Sequence, residues 1–98
     1  MKMYTIPILN EPSQTLTVRL GNQTVDIALT MRLGNLYADV RVNGKNVVSG
    51  RVCLNHEPII KESFRPFIGE LYFEDLQGNE NPVYGGLGRR FVLRWIEP

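Results

Sequence analysis

Residues 15–42 restrict the fold more than any other stretch, because they alternate apolar and polar residues through two turn signals without losing step. Thr15 to Leu20 place Leu16, Val18 and Leu20 on one side, and Thr15, Thr17 and Arg19 on the other. Residues 23–33 set Val25, Ile27, Leu29, Met31 and Leu33 against Thr24, Asp26, Ala28, Thr30 and Arg32. Successive side chains of a strand point to opposite faces, so this period makes one apolar face and one wet face. In a helix the same residues would be scattered around the circumference.

The turn residues agree with that reading. Gly21-Asn22 and Gly34-Asn35 each read as a two-residue loop with Gly first, where a type II′ hairpin needs positive φ. Leu16 then faces Ile27, and Val18 faces Val25. Across the second hairpin Leu29 faces Val40, Ile27 faces Val42 and Met31 faces Ala38, with Thr30 opposite Asp39 and Ala28 opposite Arg41 on the outside. Both turns bring the apolar residues to one side, and a one-residue slip would turn the whole set toward water. Asn43-Gly44 marks the next turn. The adjacent Val47 and Val48 then break the alternation. A three-residue loop or a bulge is expected there, with Val48, Gly50, Val52 and Leu54 inward and Gly50 at a tight bend.

Residues 55–68 are irregular, and Pro58 and Pro66 argue against a long helix. They read as a crossing loop whose Ile59, Ile60, Phe64 and Phe67 cap one end of the body or rest on a partner. Gly69 to Leu76 resume as a strand with Leu71 and Phe73 inward and Tyr72 and Glu74 outward. Residues 77–88 form a second loop. Arg90 to Glu97 form the last strand, with Phe91, Leu93 and Trp95 on one face and Val92, Arg94 and Ile96 on the other. Tyr4 to Leu9 is a further strand, and Pro7 places it at an edge or a barrel rim. The fold class expected is all-β, a small antiparallel β-barrel or sandwich of about seven strands. A chain of 98 residues suits one domain over 1–98 with one core.

The charge balance excludes little and favours mixed surfaces. Eleven Lys and Arg oppose ten Asp and Glu, for a net charge of +1. Nucleic-acid binders cluster a basic excess on one face. Here the only adjacent basic pair, Arg89-Arg90, reads as a solvated strand end. An oligonucleotide-binding barrel, with Tyr37 beside Arg41 and Tyr72 or Trp95 beside Arg94 as stacking sites, is the alternative reading. Against it, Arg32, Arg41 and Arg94 share their faces with Asp39, Glu74 and Glu97, which suits contact with protein rather than with phosphate.

Reactive constellations are missing. Cys53 lies in the apolar run Val52-Cys53-Leu54 and reads as a small buried hydrophobe; a nucleophile would need a histidine in geometry, and nearness of His56 in sequence does not supply one. One His and one Cys do not make an ordinary zinc site, and Glu57, Glu62, Glu74 and Asp75 do not follow a calcium loop. Gly85-Gly86-Leu87-Gly88-Arg89-Arg90 lacks the Lys-Ser/Thr ending of a phosphate loop and leads into a strand instead of a helix. No apolar stretch approaches the roughly 20 residues of a membrane helix, and the opening residues lack a long apolar leader segment. The expectation is a non-enzyme with no cofactor and no metal, acting away from membranes.

The order of features resembles the phage contractile-tail baseplate plug family. The residues that carry the resemblance are Tyr4-Thr5-Ile6-Pro7-Ile8, Gln14 to Gly21, the alternating hairpin with Leu36-Tyr37-Ala38-Asp39-Val40, the Asn43-Gly44 turn, the Gly69-Glu70-Leu71 strand start, and Pro82, Tyr84 and Leu87-Gly88 before an aromatic last strand. These are spacings of turns and apolar residues covering nearly the whole chain. The resemblance implies a structural virion part at the central hub of a tail baseplate, of a phage, a prophage or a tail-like particle. Such a protein is made in the host bacterial cytoplasm and packs against hub, tube or spike proteins in several copies around the tail axis. Tyr37, Arg41, Phe64, Phe67, Tyr72, Tyr84 and Arg94 are the residues expected to meet partners, as aromatic and arginine anchors do.

Overall fold

A computed structural model describes residues 2–60 and 69–97. It is all-β, with seven strands: β1 (Lys2–Ile6), β2 (Ser13–Leu20), β3 (Gln23–Arg32), β4 (Asn35–Val42), β5 (Lys45–Val52), β6 (Glu70–Asp75) and β7 (Phe91–Glu97). They form two antiparallel sheets, a meander β2-β3-β4-β5 and a three-stranded sheet β1-β7-β6. Of the two architectures expected, the arrangement is sandwich-like.

The first hairpin has the expected register. Leu16 pairs with Ile27 and Val18 with Val25, and Gly21 opens the loop at φ +66°. The second is shifted. Leu33-Gly34 turns the chain, not Gly34-Asn35, so Leu29 pairs with Ala38, Ile27 with Val40 and Met31 with Leu36. On the outside, Thr30 pairs with Tyr37, Ala28 with Asp39 and Asp26 with Arg41. Leu33 and Gly34 both have positive φ, +50° and +82°, as a type I′ turn requires. Leu33, expected inward, is therefore at the tip and 100% exposed. The shift is two residues, so parity is kept and the apolar face stays intact.

Asn43-Gly44 forms another two-residue turn with both φ positive, and β5 starts at Lys45. Two register shifts in β5 absorb the adjacent valines: Arg41 pairs with Asn46, Val40 with Val48, and Ala38 with Arg51. Val48 points inward as expected, with Val52 and Leu54 half-buried. Gly50 is exposed, not inward, because it lies in the second bulge at φ +60°, where its N–H donates to Asp39 Oδ1.

The two sheets share one core. The four-stranded sheet contributes Val25, Ile27, Leu29, Leu36, Val40 and Val42; the three-stranded sheet contributes Ile6, Leu71, Phe73, Phe91, Leu93 and Trp95. Each such side chain contributes about 1.5–3 kcal/mol by leaving water. Cys53, Ile59 and Leu87 close the core from the loops. After β5 the chain passes from one sheet to the other. Cys53 N–H donates to Leu36 O at 2.8 Å, then His56 and Ile59 N–H donate to Phe73 O and Leu71 O at 2.9 and 2.7 Å. The outer edge of β6 is covered in this way. β1 is an edge strand, as Pro7 suggested, and ends at Ile6 just before that proline.

Candidate functional site

The outward faces of the two sheets and the loop between β6 and β7 carry the residues expected to meet partners. On the four-stranded sheet, Tyr37 and Arg41 lie on the outer face of β4, four residues apart. The Arg32 guanidinium stands 4.9 Å from the centre of the Tyr37 ring. Arg41 crosses from Asp26 and donates to Gly44 O at 3.2 Å. Thr15, Asp26, Ala28, Asp39 and Arg41 line a shallow depression of about 560 Å³ on this face. Short side chains at Thr15 and Ala28 leave the floor low between the two acids and the arginine.

The three-stranded sheet pairs Tyr72 directly with Arg94. Arg94 Nε donates to Glu74 Oε1 at 2.7 Å, and its Nη1 to Thr5 Oγ1 at 2.8 Å. Tyr72 donates its hydroxyl to Met3 Sδ at 3.3 Å and stacks on His56 with centroids 6.2 Å apart. Partial burial, with Glu74 near, pushes the Tyr72 phenol up from its ordinary value. This face therefore presents a fixed arginine and a protonated phenol, both tied to neighbouring strands. Tyr84 is on neither face. It stands on the loop between β6 and β7, 51% exposed beside Val83, and Gly85 N–H bonds Asn10 Oδ1 at 3.0 Å to hold that loop against the chain after β1. Phe64 and Phe67 lie outside the described residues.

The expected residues thus divide among three surfaces and do not converge on a cleft. Trp95, weighed as a base-stacking platform, is 2% exposed; Tyr4 stacks over it at 5.5 Å. Cys53 is buried, and burial pushes its thiol up to about 12, away from the thiolate that a nucleophile needs.

The structure corrects the reading of Arg90 as a solvated strand end. Arg90 Nε and Nη2 each meet one oxygen of Asp75 at 2.8 Å, and Nη2 also meets Glu80 Oε2 at 2.9 Å. The Asp75 side chain is fully buried, and its oxygens also accept the N–H groups of Gln77 and Glu80, each at 2.9 Å. The Arg90 guanidinium and those two N–H groups hold the Asp75 carboxyl well below the usual carboxylate range; Asp75 and Glu80 raise Arg90 further. Sequence spacing carries no sign of this pairing across a fourteen-residue gap, and the loop it closes is the one that displays Tyr84.

A family model described as cyanophage baseplate Pam3 plug gp18 matches residues 3–98. No curated protein matches the chain.

Proposed function

The chain belongs to the cyanophage baseplate plug family, and from that premise we propose that it is a plug-like part of the central hub of a contractile tail. Its role in the phage baseplate is structural. On this reading it sits among hub, tube or spike proteins, in several copies around the tail axis, after synthesis in the bacterial host. The observation that carries the reading is the span of the family match, which takes in both sheets and the connecting loops.

The geometry supports a body whose work is contact. Both outer faces are polar with mixed charge, and their long side chains are tied down by cross-strand bonds such as Arg94 to Glu74 and Thr5. Side chains already held in place lose less freedom on docking, and complementary charge orients a partner. Tyr37 and Arg41, Tyr72 and Arg94, and Tyr84 are the anchors proposed for three different neighbours or for successive copies.

The test is made on particles. Tails purified from producing cells should contain the chain in the baseplate fraction, and a tagged copy should retain hub, tube or spike proteins. Tails that assemble complete and infectious without it, and hold none of it, would sink the reading. Alanine at Tyr84 or Arg41 should reduce incorporation while the isolated protein keeps its fold.

A further inference from the structure

β2 is the outermost strand of the four-stranded sheet, and among the described residues its only ladder partner is β3. Its other edge carries none of the usual protections. Ser13 to Leu20 contain no proline, pair with β3 without a bulge, and include one charged residue, Arg19. A long, flat, unprotected edge recruits another strand. Apolar surface is open at the same place. Leu16 and Val18 are half-buried, whereas the Ile27 and Val25 opposite them are fully buried. There is room beside the edge too, because the Val18–Gly21 end faces Tyr4–Pro7 of the other sheet across an open groove of about 380 Å³.

The strand is its own complement. Two antiparallel copies related by a two-fold axis at Thr17 oppose Leu16 of each to Val18 of the other, and Thr15 of each to Arg19 of the other. Each pair joins residues of one face, so apolar meets apolar toward the core. No like charges oppose. Arg19 has no acidic partner among the described residues. In the pair it comes to the strand next to the one that carries the other copy's Asp26, whose carboxylate accepts a bond from Thr17 Oγ1 at 2.6 Å. Arg19 and that Asp26 are of opposite sign and one register step apart.

We infer that β2 is a self-association edge, through which two copies of this chain join their four-stranded sheets into one continuous antiparallel sheet with Thr17 on the axis. The contact is isologous, the commonest form of self-assembly. It requires only this chain, so it stands or falls separately from the place of the protein in the baseplate.

Sedimentation equilibrium on the purified chain tests it. The wild type should be a dimer at micromolar concentration. Thr17→Lys should be a folded monomer, since its lysine faces Asp26 within the copy but meets a second lysine across the axis. Mixing Thr17→Lys with Thr17→Glu should restore dimers, because unlike charges then meet at the axis. Mild oxidation of Thr17→Cys should link two copies through this position, Cys53 being buried. A wild type that stays monomeric throughout overturns the inference and leaves the edge to a strand from another baseplate protein. A Thr17→Lys variant as dimeric as the wild type overturns it as well.

Discussion

Arg90 closes on Asp75 with a two-point clasp, Nε to Oδ1 and Nη2 to Oδ2, both at 2.8 Å, at the neck of the loop joining β6 to β7. Leu76 N–H bonds Arg90 O at 2.8 Å just beside it, so side chains and backbone shut the loop at the same level. A planar fork matches a carboxylate at two points, which a lysine cannot do.

The clasp and the two N–H bonds can be separated by hydrogen exchange. Asp75→Ala removes both, so the Gln77 and Glu80 amides should exchange much faster than in the wild type. Arg90→Lys leaves the carboxylate in place, and those two amides should stay protected while the denaturation midpoint falls. Equal loss of protection in the two variants would show that Arg90, not Asp75, organises the loop.

The same carboxylate sets an acid limit. Asp75 titrates below its unfolded value, so its contribution to stability is complete above the ordinary carboxylate range and is lost as pH falls toward the folded value. Wild-type stability should decline from about pH 4 downward. An Asp75→Asn variant, less stable at neutral pH, should show a shallower acid limb. Parallel limbs would remove Asp75 from the account.

Cys53 sets an alkaline limit with the opposite sign. Its folded value is raised to about 12 from an ordinary 9.0, so the unfolded chain ionises first. The stabilisation is full below the unfolded value and drains away as pH rises toward the folded one. Thiol reagents should leave the native protein unmodified and react on unfolding. Rapid native labelling would contradict the burial.

Leu33 is a leucine in a left-handed position with its side chain wholly in water. Asn tolerates positive φ and suits the first position of a type I′ turn. Leu33→Asn should raise stability by about 0.5–1 kcal/mol, read from urea unfolding, as other turn corrections do. A loss would mean that the tip is held by contacts other than the turn.

Truncating the core should cost far more than truncating the rim. Leu29→Ala, fully buried between the sheets, should lose about 2–5 kcal/mol. Leu9→Ala, on an exposed residue, should stay within about 0.5 kcal/mol. Comparable losses would move the core elsewhere.

Period and turns made the four-stranded meander legible, including which residues face inward. They left the second hairpin ambiguous by two residues. Leu33-Gly34 and Gly34-Asn35 both keep the same parity, and propensity favours the pair without a leucine at positive φ. Tertiary pairing chose the other one. Gly50 was misplaced for a related reason: a bulge adds a residue and inverts every inference counted along the strand beyond it. The outward anchors were legible only as strand positions. That Tyr72 and Arg94 stand opposite each other, while Tyr37 and Tyr84 stand elsewhere, depends on pairing between strands distant in sequence.

By itself, the sequence determined that the chain is a sheet with one apolar side, because alternation is a local property and each turn signal lies within a few residues of the strands it joins. Only the tertiary structure decided that β1 pairs with β7 from opposite ends of the chain, that residues 53–59 pass from one sheet to the other, and that Arg90 meets Asp75. Those contacts depend on how the two sheets pack around a common core. Pairing of that range is set by the free energy of the whole body, and no window of neighbouring residues contains it.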